Sequence, residues 1–585
     1  MSASNKKKLR KEQNAQVMTE RQKKERAEAK KTKSMTIAFV AAIALVLCVF
    51  IGTIGVTLFN SYGVLERMTT AATVGDHKIN SIEMNYFYYD AVENEYARLQ
   101  ETYGEYASYF IGYDPAKPLN EQKYDESGKT WGDYYMDIAV DNAKAIYAIY
   151  DHAMANGFEI TDEVQEIVDS NMMQIEFNAM LSGVSTNSVL RMIYGNGARE
   201  RSFKNYLTAK VVASSYYQEH QDSLSYSADE IEAYNAEHFN EFSSYDFYSH
   251  YIKCDDYLTG GTVGEDDKVT YSAEEKEAAR VAAEAAAKTL LSATNLEELN
   301  AAIAALNVEE EPEASEPEAT EPETTEPEAA EPEATEADAT EPEITEEEKE
   351  EIPTAELNSD LDHTNLPEDY AKWLGDAERK AGDIEVFPST STDADGAETV
   401  NGYYVLMFQA RDDKNDLMAN IRQILIAPEG GETKDGVTTY TDEEWETAKK
   451  KADDLLAKWN NGSADENSFA ALVESNTADT ATSTTGGLYE NIHEDYTAVA
   501  TEVKAWALDE ARKAEDTAVI KSSSGYHIVY FVGSTELTYR QYRIEQTLIS
   551  DEMTKWEESI INAVEAVKGD DSRINKDLVL QPASN

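Results

Sequence analysis

The chain has 585 residues and a formal net charge of −62 at pH 7. Such an excess of carboxylates excludes a nucleic-acid partner, because phosphate contacts need Lys and Arg, and two cysteines are too few for a disulfide framework. Since 41% of the residues are hydrophobic, we expect several globular domains held together by packed cores.

The amino terminus has the pattern of a membrane anchor. Residues 1–34 contain twelve Lys or Arg and four Glu, a local charge of 12 − 4 = +8, and we interpret them as a basic cytoplasmic tail. Residues 35–59 carry no charge, and a helix of this length spans a bilayer core of about 30 Å. The positive-inside rule then places the remaining chain outside the cell membrane. The alternative is a cleaved signal peptide, whose apolar region is normally about 7–15 residues.

Residues 70–242 are predicted to form a helical domain. Helical patterns occur at about 132–156, 162–181, 186–194 and 197–220, and a capping box at Ser227 begins a further helix. The order of these segments resembles the amino-terminal domain of SurA/PrsA-type extracytoplasmic foldases. That resemblance implies a chaperone domain that holds unfolded polypeptides, whereas each tyrosine taken alone fits an ordinary core position.

The second half of the chain contains an internal repeat. Residues 373–383 match residues 506–516 at six of eleven positions without a gap. Each copy precedes a Gly-Tyr strand and follows a capping-box helix. We therefore predict two α+β domains, at about 245–411 and 418–534, that arose by duplication.

An acidic insert interrupts the first of these two domains. Residues 308–352 consist mainly of Glu, Pro, Ala and Thr, and prolines recur every five residues from Pro312 to Pro332. Such a segment has little to bury and repels itself, so we predict a disordered spacer.

The second domain carries the chemistry-bearing motifs. A strand at Ile421–Ile426 is followed by Asp479, then after six residues by Gly486-Gly487, and finally by a Gly-Tyr-His strand that contains His527. This order resembles the parvulin (PpiC-type) family of peptidyl-prolyl cis-trans isomerases, over about 115 residues. The resemblance implies rotation about X-Pro peptide bonds, a reaction that needs no metal, nucleophile or cofactor.

The resemblance also implies the residues of the site. His527 corresponds to the family's carboxy-terminal histidine, Ser524 to the hydroxyl before it, and Asp479 to the Cys or Asp over the amide. Gln423 stands where the family has its first histidine, and an amide can still join a hydrogen-bond network. Trp506 and Tyr526 are the expected substrate-binding side chains.

The first domain lacks the other histidine of the pair that the resemblance implies. His250 is a candidate for the first histidine, but Tyr404 replaces the second and no Gly-Gly matches. We interpret this domain as degenerate and inactive, and we favour an ordinary strand position for His250.

The carboxy terminus is predicted to return to the helical domain. Residues 535–568 have apolar side chains spaced as in an amphipathic helix, and residues 569–585 form a tail. In the resembled family a carboxy-terminal helix completes the first domain.

Together these features predict an α+β multidomain protein with one transmembrane helix, whose function is that of a membrane-anchored, extracytoplasmic isomerase and foldase. Its partners would be unfolded or nascent exported polypeptides. The alternative is a non-catalytic holdase chaperone, which Gln423 and Tyr404 favour. An adhesin is a third possibility, and hydrolase motifs are absent from the sequence.

Overall fold

A computed structural model describes residues 4–8, 53, 56–57, 59–104, 114, 117–263, 269–306, 353–392, 396–434 and 437–576. The chain divides into two compact units, residues 1–225 with 549–585, and residues 226–548. The acidic insert, and most of the predicted cytoplasmic tail and transmembrane segment, lie outside the described residues. Among the helices within the described ranges, none is both long and apolar enough to cross a membrane.

The chain before residue 225 is mostly helical and begins with a short antiparallel hairpin. Its elements are α1 (Val64–Met68), β1 (Thr70–Val74), β2 (His77–Asn80), α2 (Ser81–Tyr103), α3 (Trp131–Ala155), α4 (Asp162–Leu181), α5 (Thr186–Tyr194) and α6 (Glu200–Ser223). The bounds of α3 to α6 lie within three residues of the helical patterns in the sequence. The caps explain this agreement, since the side chains of Thr130, Thr161 and Ser185 each accept a backbone N–H bond at a helix start.

Residues 226–548 contain most of the strands. In chain order the elements are α7 (Ala228–His238), β3 (Ser244–Lys253), β4 (Thr262–Val263), β5 (Val269–Thr270), α8 (Ala273–Leu290), α9 (Leu296–Leu306), β6 (Glu356–Asp362), α10 (Glu368–Leu374), β7 (Ile384–Thr392), β8 (Glu398–Asp412), β9 (Leu417–Ile426), β10 (Glu432–Lys434), β11 (Val437–Thr439), α11 (Asp442–Asn460), α12 (Glu466–Asn476), β12 (Leu488–Ile492), α13 (Thr501–Ala507), β13 (Thr517–Lys521), β14 (Tyr526–Thr538) and α14 (Tyr539–Asn562). The last strand, β15 (Ala566–Lys568), pairs with β1.

The two four-stranded sheets of this unit repeat one topology. The first has the strand order β6-β3-β8-β7 and the second β12-β9-β14-β13, and all pairs within both are antiparallel. Each sheet begins with a long strand, followed by a small hairpin and two helices, β4-β5-α8-α9 or β10-β11-α11-α12. We call the two copies the first and the second module.

The sequence repeat has a structural basis in both modules. The guanidinium of Arg379 lies 4.1 Å from the ring centre of Trp373, and that of Arg512 lies 4.8 Å from Trp506. Each arginine also pairs with aspartates on either side of it in sequence. The recurring Trp, Arg and Asp positions therefore fix the same turn before β7 in the first module and before β13 in the second.

Aromatic packing forms the core of the helical unit. Tyr86 is buried and contacts Tyr194 and Phe203 edge-on, at ring-centre distances of 5.0 and 5.2 Å, while its hydroxyl bonds Ser202 at 2.8 Å. Tyr88 is buried as well. These two tyrosines are core residues and present no surface to a client.

The chain's far end completes this helical unit. Ile560 of α14 packs in a buried cluster with Ala148, Ile149 and Ala213, and Trp556 stacks on His220 at 4.3 Å. Lys568 of β15 lies opposite Ala72 of β1. The residues after 549 thus provide one edge of the sheet and part of the core of the unit that the first 225 residues begin.

The start of α14 is held by a buried arginine. The guanidinium of Arg540 is 2% exposed and donates to five acceptors, the backbone oxygens of Phe239, Phe242 and Asp413, the Asn235 side-chain oxygen and the Ser243 hydroxyl. This single side chain joins α14 to the segment after α7 and to the end of β8.

Candidate functional site

The candidate site lies on one face of the second module's sheet. In the pairing of β9 with β14, His527 stands opposite Leu425 and Val529 opposite Gln423. Because alternate residues of a strand share a face, Gln423 and His527 are diagonal neighbours on the same side. Both side chains are buried.

A continuous chain of hydrogen bonds joins the polar side chains of this face. Tyr489 donates to Asp479 Oδ2 at 2.7 Å, and Gln423 Nε2 donates to the same oxygen at 3.0 Å. Gln423 Oε1 lies 3.0 Å from His527 Nδ1, and His527 Nε2 lies 2.8 Å from Ser522 Oγ. The structure therefore brings together Asp479, Gln423 and His527, the three central residues of the predicted site.

The chain of bonds fixes where each proton sits. A carboxylate only accepts, so the Gln423 amide must point its Nε2 at Asp479 and its Oε1 at His527. Nδ1 of His527 then carries the proton and Nε2 accepts from the Ser522 hydroxyl. The Ser524 backbone N–H in turn donates to Ser522 Oγ at 3.0 Å. Each donor along this line has one acceptor, so the imidazole is held in one tautomer.

The charges follow from the same contacts. Burial lowers the pKa of His527, so the imidazole is neutral at pH 7. Burial opposes ionisation of Asp479, but hydrogen bonds from Tyr489, Gln423, Ala481 and Thr482 outweigh it and hold the pKa of that carboxyl below its usual value. Burial and the neighbouring carboxylate raise the pKa of Tyr489 to about 12. The network thus contains one negative charge, on the half-exposed Asp479.

The Gly486-Gly487 pair lets the loop approach the sheet. Both glycines have positive φ angles, 66° and 71°. The Gly487 carbonyl accepts from the Gln423 N–H at 2.9 Å, and a Cβ on Gly487 would overlap the Gln423 carbonyl oxygen. Only glycine fits this close approach, which places the loop containing Asp479 directly over the Gln423 side chain.

The hydroxyl that bonds His527 belongs to a different serine from the one that the sequence predicts. Ser522, not Ser524, bonds the imidazole. The last strand pair before the turn joins Lys521 to Tyr526, so Ser522 is the first turn residue and its side chain turns back over the sheet. Ser524 is exposed and contributes its backbone N–H.

Tyr526, predicted to bind substrate, faces away from the site. Successive residues of a strand point to opposite faces, so Tyr526 lies on the side opposite His527. It packs in the core beneath α11, with Trp445 edge-on at 5.9 Å. This prediction was wrong because the residue next to a site residue on a strand cannot share its face.

Trp506 lies on the same face as the site but near the other end of the strands. It packs edge-on against Phe531 at 6.3 Å. His527 precedes Phe531 on β14, and four residues of strand correspond to about 13 Å. The side chain is half-buried, and Arg512 lies against its ring.

Besides Ser522, two contributors escaped the sequence analysis, Tyr489 and Thr482. Thr482 Oγ1 donates to Asp479 Oδ2 at 3.2 Å. Tyr489 lies two residues after the Gly-Gly pair on β12, where alternation places every second residue on the site face. That spacing was the available signal, together with the hydroxyl three residues after Asp479.

Among the described residues of the first module, no equivalent network is present. Tyr251 stands opposite Tyr404 and Ser249 opposite Leu406, so Ser249 and Tyr404 occupy the positions of Gln423 and His527. The rings of Tyr251 and Tyr404 contact at 4.5 Å where the second module has its imidazole.

His250, the candidate histidine of the first module, is on the other face. Its neighbours along the strand at every second position, Tyr248 and Ile252, pack in the core under α8. By strand alternation His250 points the same way, and burial lowers its pKa. It cannot take part in a site on the opposite side of the sheet.

One cluster of carboxylates has the spacing of a metal site. Asp360, Asp412 and Glu494 offer oxygens within 4.8 Å of one another. The buried Lys414 ammonium lies among them, 3.5 Å from Asp412 and also paired with Asp360 and Glu494. The lysine supplies the positive charge that a cation would bring, so these residues form an ion-pair network.

One family comparison matches a segment that includes most of the second module. Residues 403–534 match the family described as the PPIC-type PPIASE domain. Solved structures of PrsA are similar over part of the chain. The PrsA peptidylprolyl isomerase from Bacillus anthracis shares 16% identity, over 26% of this chain and 59% of that one, with a TM-score of 0.17. PrsA from Bacillus subtilis shares 14%, over 25% and 48%, with a TM-score of 0.17.

The foldase protein PrsA from Streptococcus pneumoniae shares 21% identity, over 25% of this chain and 49% of that one, with a TM-score of 0.15. The aligned part is thus less than two thirds of each of these three structures. No curated protein matches the sequence.

Proposed function

We propose that this chain, whose residues 403–534 match the PpiC (parvulin) type of peptidyl-prolyl isomerase domain, is a membrane-anchored, extracytoplasmic foldase. It would bind exported polypeptides and accelerate rotation about their X-Pro bonds in the second module. The observation that carries the proposal is the unbroken chain of hydrogen bonds from Tyr489 through Asp479, Gln423 and His527 to Ser522.

The reaction needs the site to favour a twisted amide over a planar one. Amide resonance sets a barrier of about 18–20 kcal/mol and places negative charge on the carbonyl oxygen. Twisting removes part of that charge and leaves a lone pair on nitrogen. A fixed carboxylate beside the carbonyl therefore disfavours the planar form, and a thousandfold acceleration requires about 4 kcal/mol of such preference.

We propose a role for each residue from this geometry. Asp479 is the half-exposed charged member, so it is the residue proposed to face the substrate amide. Gln423 and His527 are buried behind it and hold its position. A site whose dipoles are oriented in advance does not have to reorganise when the amide twists.

The catalytic proposal is tested with the full chain in a neutral detergent, on a proline tetrapeptide. We expect acceleration by the wild type and loss of it in His527→Ala. His250→Ala is the matched control, because it removes a histidine from the strand of the inactive module, and we expect its rate to equal the wild type. A wild-type rate equal to the blank would refute the catalytic part.

Anchoring and orientation rest on the sequence of residues 1–59. The charge difference across the uncharged segment supports a cytoplasmic tail and an exported bulk. Protease added to intact cells would digest the residues after 59 and spare the tail. Digestion only after lysis would reject this orientation.

A specific observation favours holdase activity as a second function. Helix α4 exposes Met173, Phe177, Met180 and Leu181, each more than half accessible to solvent. Methionine-rich apolar surfaces adapt to many sequences. If the wild type suppresses client aggregation without accelerating proline isomerisation, and His527→Ala does so equally, the holdase function stands alone.

A further inference from the structure

Three arginines converge on one cavity of the helical unit. The cavity has a volume of about 400 Å³, and its lining includes Arg67, Arg199 and Arg201 together with Asn80, Ser202 and Asn205. Arg67 ends α1 and the other two begin α6. Guanidinium, amide and hydroxyl groups are the side chains that bind phosphate oxygens.

These arginines are not neutralised by the surrounding acidic protein. Within the part of the chain that the structure describes, no carboxylate lies within ion-pair distance of Arg67, Arg199 or Arg201, although the chain as a whole carries a net charge of −62. Arg199 instead lies over the ring of Tyr62, 4.5 Å from its centre. Like charges that are not paired repel one another, so a bound anion would relieve a cost that the free protein carries.

Glu83 is the only carboxylate among the residues that line the cavity, and it is hydrogen-bonded to a tyrosine. Glu83 accepts a hydrogen bond from the Tyr147 hydroxyl, and burial raises the pKa of its carboxyl. The start of α6 adds to the positive character, because Arg199 precedes the helix without forming a side-chain cap and a helix amino terminus carries partial positive charge. The cavity is therefore lined by three arginines and one carboxylate, and that carboxylate is hydrogen-bonded to Tyr147.

The cavity lies beside the point where the chain leaves the predicted transmembrane segment. Gly63, at a φ of 60°, packs so closely on Gly197 that an added Cβ would stand 2.5 Å from its Cα, which holds residues 59–68 next to Arg199. Four large apolar side chains in this stretch are exposed, with accessibilities from 38% for Leu65 to 78% for Met68. Exposed apolar side chains next to arginines are typical of surfaces that lie in a membrane interface.

We propose that Arg67, Arg199 and Arg201 bind the phosphate of an anionic phospholipid headgroup in the outer leaflet. The proposal rests on the membrane anchor put forward above and is independent of the isomerase site. A lipid would place its phosphate in the cavity and its acyl chains beside the exposed apolar side chains of residues 59–68. A free phosphate ion would satisfy the arginines alone, so the test separates the two sources.

The test measures which lipids the full chain retains in a neutral detergent. The protein is incubated with equal amounts of phosphatidylglycerol and phosphatidylcholine of the same acyl chains, and bound lipids are counted by native mass spectrometry. We expect the wild type to retain phosphatidylglycerol at least tenfold over phosphatidylcholine. The triple variant R67Q/R199Q/R201Q is expected to lose this preference.

A matched control removes the same charge elsewhere. K78Q/K117Q/K123Q also removes three exposed positive charges from the helical unit, and we expect it to retain the lipid preference. The basic tail is common to all variants, so any lipid that it binds is the same in each. R67K/R199K/R201K keeps the charge but not the two-pronged geometry, and we expect an intermediate preference. Because this variant preserves side-chain length and charge, it keeps the proposal testable should the glutamine variant fail to fold.

Two results would overturn the proposal. Phosphatidylglycerol retention that is equal in the wild type and the glutamine variant would remove the arginines from any headgroup site. Displacement of the lipid by millimolar inorganic phosphate would show a free-anion site instead. Isomerase rates are expected to be unchanged in all these variants, so failure here is distinguishable from failure of the isomerase.

Discussion

At the scale of single residues, the second module depends on an amide where a second imidazole is expected. Gln423 both donates and accepts in fixed directions, to Asp479 and from His527. A glutamine does not titrate, so the only groups of this network that change charge between pH 2 and 8 are one aspartate and one histidine. The tautomer of His527 is consequently set by a residue with no protonation states of its own.

Replacing Gln423 tests this role. Gln423→Leu removes both hydrogen bonds and leaves a buried imidazole N–H without an acceptor, at a cost of about 1–3 kcal/mol. We expect at least a tenfold loss of isomerase rate on the proline tetrapeptide. Gln423→His, which supplies a donor and an acceptor in a ring, should retain the rate. Equal losses in both variants would contradict a role in orienting the imidazole.

The burial of His527 predicts a stability that depends on pH. Its pKa is lowered in the folded protein, so below its usual value of about 6.5 the unfolded chain binds a proton that the folded chain does not. Stability therefore falls as pH drops from about 6.5 towards the lowered pKa. We expect the protection factors of the β14 amides, which correct for the intrinsic pH dependence of hydrogen exchange, to fall between pH 7 and 5, and to fall less in His527→Gln. The other histidines are common to both proteins and cancel in the difference.

Gly487 tests the close approach of the loop. In Gly487→Ala the new methyl group would overlap the Gln423 carbonyl, in addition to the strain of a left-handed backbone. Gly396→Ala is the matched control, because Gly396 has a φ of 82° and open space around it. We expect the control to lose about 1–2 kcal/mol and Gly487→Ala to lose more and to abolish isomerase activity. The free energy of unfolding and the tetrapeptide rate are the two measurements.

At the scale of elements, the capping residues and the strand register decide what the sequence can reveal. The helix starts at Asp162 and Thr186 were predictable because a Thr or Ser precedes each and caps it. The site was predictable in part, because the Asp479 to Gly486 spacing reports a loop of fixed length. The serine was not, because Ser522, Ser523 and Ser524 are chemically alike and only the turn selects one.

The second limit on prediction from the sequence was the face of the sheet on which each strand residue lies. A bulge lies between Asp246 and Phe247 of β3, and a shift of one residue exchanges the two faces of a strand. His250 was therefore assignable to neither face from alternation alone. The face of Tyr526 could have been predicted, because a residue next to His527 on a strand points to the other side of the sheet.

The element most dependent on one side chain is the start of α14. Arg540→Met would leave several buried acceptors unpaired, among them the Phe242 and Asp413 carbonyls, and we expect a loss of more than about 2 kcal/mol. Arg543→Met is the control, because that arginine pairs with Asp362 at the partly exposed surface and such a pair contributes about 0–1 kcal/mol. Equal effects on the free energy of unfolding would contradict the importance of the buried network.

At the scale of the whole molecule, the chain combines a helical unit made from both of its ends with a duplicated pair of modules. Both sheets have the same strand order, yet among the described residues only the second sheet carries the polar network. The ring pair of Tyr251 and Tyr404 fills the corresponding place in the first sheet. The two modules thus share a scaffold while the side chains on this face differ.

The contribution of the chain's far end to the helical unit can be measured. Ile560 is buried among side chains of the first 225 residues, so Ile560→Ala is expected to cost about 2–5 kcal/mol and to accelerate hydrogen exchange in α3 and α6. Val567→Ala is the control, because that side chain is half exposed. Unchanged exchange in α3 and α6 for Ile560→Ala would contradict this packing.

The pairing of β15 with β1 sets an order of folding events during synthesis. The first residues to emerge lack an edge strand and part of their core until residue 568 has followed them. Residues 226–548 lie within one uninterrupted stretch and have no such wait, so the second module can form while the helical unit is still incomplete. A chain stalled late in synthesis would carry a complete second module while its helical unit still lacked β15.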